Sequence, residues 1–345
     1  MTRLSVALVG CGGVARRYRR VYARLPQVSV PLVVDTDLEE ARAAAAELGA
    51  ARASAEFEDA LAEPVQAVVI STPNYLHRQQ AAAALQAGKH VLLQKPMART
   101  LAECDAILAA QKQSRCKLGI YMNLLDHPLF RDWRRMIRED YLGRVVLFSA
   151  RLAHRGGLSW AGPERNWRAS REATGGGCFI QLGVHYQHLM RWLLGRRVVR
   201  VQALSRNVAC PHLEGDDLTL AHYLLEDGAF GEIQTAWCAQ EEHVSLLGTK
   251  GSLHYRENRY LEYLGEGGPF QGEAFALRGN GALERFEILP PEWDDDANPY
   301  NQHRRFCEAL LDSRDPEVTG LEGREDVRLV QACYESAAAG KAVDL

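Results

Sequence analysis

A glycine-rich turn and a carboxylate some way beyond it are the first residues here whose types and spacing could do chemistry. Gly10-Cys11-Gly12-Gly13-Val14-Ala15 follows an apolar run and opens a helical pattern, giving the form G-x-G-x-x-A. In such a turn Gly10 permits the sharp bend, Gly12 lets a pyrophosphate approach the backbone, and small Ala15 lets helix and strand pack closely. The helix start then offers N–H groups and the positive end of its dipole to phosphate. Asp35 lies 20 residues beyond Ala15, at the end of a second apolar run. A carboxylate there can accept hydrogen bonds from both ribose hydroxyls of an adenosine. Asp37 stands close by and no arginine follows, so the pair would repel a 2′-phosphate, and NAD(H) is expected over NADP(H). Arg16, Arg17, Arg19 and Arg20 would weaken that preference if one of them reached a phosphate; otherwise they form a solvated helix face. Gly10, Cys11, Gly12, Gly13, Val14 and Asp35 are the expected cofactor-binding residues of the adenosine end.

These residues need a parallel sheet to position them, and the surrounding pattern predicts one. Residues 1–121 alternate short apolar runs (Ser5 to Val9, Ser29 to Val34, Ala67 to Ser71, His90 to Leu93, Lys117 to Tyr121) with Ala-rich stretches of helical spacing. Near-continuous apolar strands imply a sheet covered on both faces. After that the texture changes. Val145 to Ala153, Val198 to Val208, Leu218 to Leu225, Ala229 to Trp237, His243 to Leu247 and Gly251 to Tyr255 follow one another as strands, some separated by turn signals such as Glu226-Asp227-Gly228. Helices are expected at Leu129 to Asp140, Val184 to Leu194, Asn301 to Asp312 and Glu322 to Ala339, and Gly265 to Asp296 reads as irregular surface. The fold class is therefore α/β: a dinucleotide-binding Rossmann domain over 1–121, and an α/β domain with a large, mostly antiparallel open sheet over 122–345. The last helix is expected to pack back toward the N-terminal domain.

Composition sets the outer bounds. The chain has 345 residues, 47% hydrophobic and 25% charged, with a formal net charge of −3, and so carries no field that would draw nucleic acid or an anionic membrane. Its eight cysteines are scattered without a C-x-x-C pair, which fits a reducing compartment. No signal peptide and no apolar run of membrane-spanning length is visible, so a cytoplasmic location is expected.

A family resemblance extends over nearly the whole chain. It is carried by Ser71-Thr72-Pro73-Asn74-Tyr75-Leu76-His77, by Ala87-Gly88-Lys89-His90-Val91-Leu92-Leu93-Gln94-Lys95-Pro96-Met97-Ala98, and by Asn166-Trp167-Arg168. Further on, Gly175-Gly176-Gly177 is followed by Gly183-Val184-His185, and the chain closes with Asn298-Pro299-Tyr300 and Ser336-Ala337-Ala338-Ala339-Gly340-Lys341. Together with the glycine turn, this ordered set resembles the Gfo/Idh/MocA oxidoreductases. The resemblance implies a second domain whose open sheet faces the nicotinamide and takes part in a homo-oligomer, a dimer or tetramer. It places the family's catalytic lysine on Lys95, and Lys95 follows a predicted parallel strand, at the sheet edge where open α/β sheets bind ligands; the Lys95-Pro96 bond is a candidate for the cis form. It also places the family's catalytic histidine on His185, whose neutral imidazole could take a hydroxyl proton as hydride leaves the same carbon. Thr72, Asn74, His77, Gln94, Lys95 and Asn123, with Trp167 and Arg168, are implied cofactor contacts. Tyr121, Arg155, Gln181 and His188 join Lys95 and His185 as implied substrate contacts.

The sequence departs from the family pattern at three acids. Gln94 stands where the family has Glu, Gln181 where it has Asp four residues before the catalytic histidine, and His188 where it commonly has Asp. Gln94 and Gln181 can orient neighbours but cannot act as bases, so proton transfer would fall on His185. His185 and His188 have a spacing that could hold a metal on a helix, but no carboxylate or cysteine partner is evident, so no metal is expected. The Trp-rich stretch with His154, Arg155, Trp160, Trp167 and Arg168 reads equally as a ligand-stacking surface or as a packed connection. The expected activity is NAD-dependent oxidation of a secondary alcohol on a sugar, nucleotide sugar or cyclitol, with a lean to C3 of a hexose. Two alternatives remain at this stage: a non-catalytic NAD-dependent sugar sensor, and a glycosidase that cycles through a 3-keto sugar on retained NAD.

Overall fold

The computed structural model describes residues 3–62, 64–161, 166–257, 272–286 and 301–345. They form two compact units, Met1–Asn123 with Tyr300–Val327, and Leu124–Pro299 with Arg328–Leu345. The Asn298-Pro299-Tyr300 motif lies outside the described residues.

The first unit is built on six strands, β1 (Leu4–Val9), β2 (Val28–Val34), β3 (Arg52–Ser54), β4 (Ala67–Ile70), β5 (His90–Gln94) and β6 (Leu118–Tyr121). All neighbours pair in parallel, in the order β3-β2-β1-β4-β5-β6. Every residue of β1, β4 and β6 is buried, as the near-continuous apolar runs require of a sheet covered on both faces. Helices α1 (Gly13–Ala23), α2 (Leu38–Leu48), α3 (Asn74–Gln86) and α4 (Leu101–Ser114) make the crossovers. Helix α1 buries Ala15, Tyr18, Val21 and Tyr22 at helical spacing. Asp37 caps α2 through the backbone N–H groups of Glu39 and Glu40, and Thr100 caps α4 through Glu103 N–H. The three-residue edge strand β3 carries too little pattern to be read from sequence.

A returning helix, Asn301–Leu311, completes this unit. Gln302 accepts from Met122 N–H (2.6 Å) and donates to the Ile120 carbonyl (2.9 Å), extending the hydrogen bonding of the sheet edge at β6. The His303 ring stacks on Tyr18 at 3.9 Å and lies 4.5 Å from Tyr121, with Nδ1 2.8 Å from the Tyr22 hydroxyl. Burial pushes the His303 pKa down to about 3, which keeps the ring neutral in this aromatic cluster.

The second unit holds a nine-stranded sheet in the order β14-β13-β12-β11-β7-β10-β9-β8-β15. Its strands are β7 (Val145–Ala153), β8 (Val198–Arg206), β9 (Leu218–Leu225), β10 (Phe230–Ala236), β11 (Glu241–Gly248), β12 (Gly251–Glu257), β13 (Gly272–Arg278), β14 (Leu283–Phe286) and β15 (Val343–Asp344). Only β7 and β10 pair in parallel; all other neighbours are antiparallel. Inward residues such as Phe148, Ala150, Ile233, Val244, Leu246 and Leu253 are buried. Helix α5 (Pro128–Arg138) contributes buried Phe130, Trp133 and Met136 to the core.

Strands β13 and β14 correct the reading of Gly265 to Asp296 as irregular. Ala274 and Ala276 alternate inward, and Gly281 takes a left-handed φ of 81° in the turn that closes the hairpin. Short alternation among small residues gave a weak signal that only pairing with β12 makes decisive.

Candidate active site

The first unit gathers its candidate residues at the carboxyl edge of the sheet, where the strand order reverses between β1 and β4. Gly10 has φ 87°, and a Cβ there would lie 2.8 Å from the Ser71 carbonyl carbon and oxygen, so the turn after β1 packs directly on the loop after β4. By contrast, a Cβ at Gly12 or Gly13 would meet nothing within 4 Å, leaving the start of α1 open on the side a phosphate would approach. No side chain caps α1 at Gly12, so its first-turn donors are not used that way.

Asp35 leaves the end of β2 toward this turn. Its carboxylate accepts from Cys11 N–H at 2.6 Å and from Asp37 N–H at 3.0 Å, which fixes its direction beside the glycine turn. Cys11 thus contributes its backbone. Its thiol is buried in a cluster with Val33, Ala44 and Ala45, and burial raises its pKa to about 12, so it is inert. Arg16 pairs with Glu40, and Arg19 and Arg20 pair with Glu47, so three of the four arginines of α1 are engaged by carboxylates of α2. Replacing Asp35 by serine is expected to shift the NADP(H)/NAD(H) ratio of kcat/KM toward NADP(H) by roughly tenfold, ~1.4 kcal/mol. An unaltered ratio would remove Asp35 from the ribose contact.

Strand β5 ends on Gln94, and the turn after it carries Lys95 and a cis Lys95-Pro96 peptide bond. Gln94 is 9% exposed, and its side-chain oxygen accepts from Lys95 N–H at 3.0 Å. Thr72 donates to Gln80 at 2.6 Å, and Asn74 is buried at the start of α3. One expectation is corrected. His77 is fully buried with Nδ1 2.9 Å from the Pro96 carbonyl and Nε2 2.9 Å from the Thr72 carbonyl, so both ring nitrogens face backbone and none is presented to a cofactor. Tyr121, at the end of β6, is 4% exposed and packs with Tyr18 and His303. Asn123 opens a short 3-10 turn, Asn123–Asp126, directly after β6.

In the second unit His185 sits in the first turn of α7 (Val184–Leu194), and a π-helical turn, Phe179–Gly183, runs straight into that helix. Such turns recur at functional sites because the wider winding re-aims the side chains that follow. Its N-terminus is held by residues that the sequence did not single out. The Asp216 carboxylate accepts from Phe179 N–H (2.9 Å), Thr219 Oγ1 (2.8 Å) and the Tyr334 hydroxyl (2.8 Å). Tyr334 in turn accepts from Gly177 N–H (3.1 Å) and Ile180 N–H (3.2 Å). Neighbouring Asp217 is fully buried and takes the N–H groups of Val208, Ala209 and Cys210 at 2.7 to 2.8 Å. The only signal in the sequence was Glu214-Gly215-Asp216-Asp217, paired acids beside a glycine where a strand was about to begin.

Gln181 and His188 are buried. The Tyr186 hydroxyl donates to buried Glu242, which lies near His127 at the N-cap of α5. Burial pushes the His127 pKa down to about 4 against the pull of Glu242. Arg168 stacks on the Trp167 ring at 4.5 Å, while Trp160 meets buried Trp237 at 4.7 Å with His154 at the edge of the same cluster. For Trp160 and His154 the packed-connection reading is the one realised. Arg155 is exposed beside α6 (Gly156–Ser159). Among the described residues no three His, Cys, Asp or Glu side chains are placed to hold a metal ion, and no helix is long and apolar enough to cross a membrane.

Comparison with known proteins agrees with this geometry. The family profile described as "Oxidoreductase family, NAD-binding Rossmann fold" matches residues 4–122, and the companion C-terminal domain profile matches residues 130–254. A 1,5-anhydro-D-fructose reductase of Ensifer adhaerens is 27% identical over 98% of this chain and 97% of its own. A D-glucoside 3-dehydrogenase of Escherichia coli is 26% identical over 99% of this chain and 97% of its own. The crystal structure of an aldose-aldose oxidoreductase from Caulobacter crescentus, complexed with glycerol, superposes with a TM-score of 0.86 at 26% identity, covering 99% of this chain and 100% of that one.

Proposed function

The chain belongs to the Gfo/Idh/MocA family of NAD-binding oxidoreductases, and on that premise we propose that it oxidises a secondary alcohol of a sugar or cyclitol, or reduces the matching ketone, with Lys95 and His185 as its working pair. Bound at the glycine turn, the dinucleotide supplies the hydride acceptor, C4 of its nicotinamide. The residues present fit that cofactor: the start of α1 is open beside Gly12 and Gly13, and Asp35 is aimed there by two backbone amides. Lys95 donates a hydrogen bond to the substrate oxygen and stabilises the negative charge that grows on it. His185 takes the hydroxyl proton. Gln94 orients the Lys95 backbone and takes no proton.

One observation carries the reading. The turn that bears Lys95 and the loop that bears Thr72 meet at the same buried His77 ring, each carbonyl 2.9 Å from a ring nitrogen, at the sheet edge that also holds the glycine turn. A lysine fixed at that edge is a site residue and not a solubilising one. The activities for which the relatives are named, a reductase of an anhydro-ketose and a 3-dehydrogenase of glucosides, support a hexose or hexose derivative, and the second of them supports C3 as the position.

The proposal extends to self-association through the open face of the large sheet. Leu224, Phe230, Leu147, Leu247, Ser252, Leu277 and Leu283 are cross-strand neighbours in register, forming one almost wholly apolar row. Phe230 and Leu283 are more than half exposed. A row of that kind fits burial against a second copy.

The function is tested by following NADH production on a panel of hexoses, glycosides, nucleotide sugars and inositols, with cofactor analysis of the purified protein. Turnover on a hexose or glycoside, with 3-keto product, is expected. Turnover on no member, with a ligand-dependent shift in melting temperature alone, would overturn the enzymatic reading.

A further inference from the structure

We propose that His77 is a positioning residue for Lys95, tying the turn after β5 to the first turns of α3 and so setting where the lysine amine stands. The proposal rests on the reading of Lys95 above. His77 lies one turn into α3, fully buried, and spans two carbonyls from loops that follow different strands, Pro96 and Thr72, each at 2.9 Å. The Pro96 carbonyl is one residue beyond Lys95. Proline has no N–H of its own to anchor the turn, and the Lys95 N–H is taken locally by Gln94. The Pro96 bond to His77 is therefore a long-range tie at the base of the lysine side chain.

The chemistry of the ring makes the two ties unequal. A neutral imidazole has one N–H, so it donates to one carbonyl at a time, and only a second proton satisfies both. Burial lowers the His77 pKa, with the two carbonyls pulling the other way, so the buried ring is held neutral. A neutral ring that donates from Nδ1 to Pro96 fixes the lysine turn and leaves Nε2 against Thr72; the opposite tautomer fixes the Thr72 loop. The proposal requires the first.

Asparagine places its amide nitrogen near the position of Nδ1, and glutamine near that of Nε2, so the two variants separate the ties. His77→Leu is expected to lower kcat by about 10- to 100-fold, the cost of moving a reacting group by a fraction of its reach, with dinucleotide Kd within a few-fold. His77→Asn should recover about tenfold of that loss and His77→Gln should not. In a Lys95→Ala background, His77→Leu should cost nothing further, because a residue that acts through Lys95 has nothing left to act through. Equal rescue by Asn and Gln, or additive losses, would overturn the proposal. If His77→Leu fails to fold, the Asn and Gln pair decides. Should Lys95→Ala itself turn over at the wild-type rate, the assignment of Lys95 fails; should Lys95→Ala lose activity while His77→Leu keeps it, only the present proposal does.

Discussion

Replacing Lys95 by alanine is expected to lower kcat by about 10²- to 10⁴-fold while dinucleotide affinity stays within a few-fold of wild type. An ammonium that hydrogen-bonds the reacting oxygen is worth most when charge grows there, so its removal appears in kcat and in kcat/KM together, and little in cofactor binding. Lys95 sits at the edge of β5, away from Asp35 at the end of β2, and the backbone that would hold the pyrophosphate at Gly12 and Gly13 does not depend on it. Lys95→Met keeps the length of the side chain without its charge and should fall with alanine; an arginine should recover part of the loss if charge alone mattered. Steady-state kinetics beside fluorescence titration of the dinucleotide separate these outcomes. Unchanged turnover in Lys95→Ala would remove the residue from the chemistry.

The second large effect is expected at Gly177, in the other unit. A Cβ there would lie inside van der Waals contact with the backbone nitrogen and oxygen of Asp216, and backbone on a packed connection cannot move aside as a flexible side chain would. Gly177 also donates its N–H to Tyr334, and its neighbour Cys178 donates to the Asp216 carbonyl at 2.7 Å. Gly177→Ala must therefore part the segment before the π turn from the Asp216 backbone just ahead of β9, breaking several buried hydrogen bonds. A loss of about 3 kcal/mol or more is expected in denaturant unfolding. If the segment shifts instead of unfolding, the loss moves to kcat, since His185 lies on the helix that this junction starts. A variant with both wild-type stability and wild-type kcat would show that the junction tolerates what its geometry forbids.

Both effects bear on the resemblance seen in the sequence. The triple glycine Gly175-Gly176-Gly177 was legible as a motif, but its reason was not. Gly176 packs on the Tyr334 ring and Gly177 on Asp216, partners about 160 and 40 residues away in sequence, and a single sequence carries no mark of such distant contacts. The same holds for His77. Its place in Thr72-Pro73-Asn74-Tyr75-Leu76-His77 implied a cofactor contact, and the structure turns the ring to backbone instead.

What the sequence determined by itself is local and periodic. Runs such as Leu4–Val9 and Ala67–Ile70 are apolar at every position, which only a sheet covered on both faces can satisfy, and the glycine turn with Asp35 marks the sheet edge where a dinucleotide sits. Tertiary structure decided everything that depends on long-range neighbours: that Tyr121 belongs to an aromatic core with Tyr18 and His303, that Gly272–Arg278 and Leu283–Phe286 are strands, and that Asp216 and Tyr334 hold the turn leading to His185. The physical reason is the same in each case. Periodicity and turn chemistry are written into a few adjacent residues, whereas burial and hydrogen-bond partnership are properties of a pair, and the second member of the pair is set only when the chain has folded.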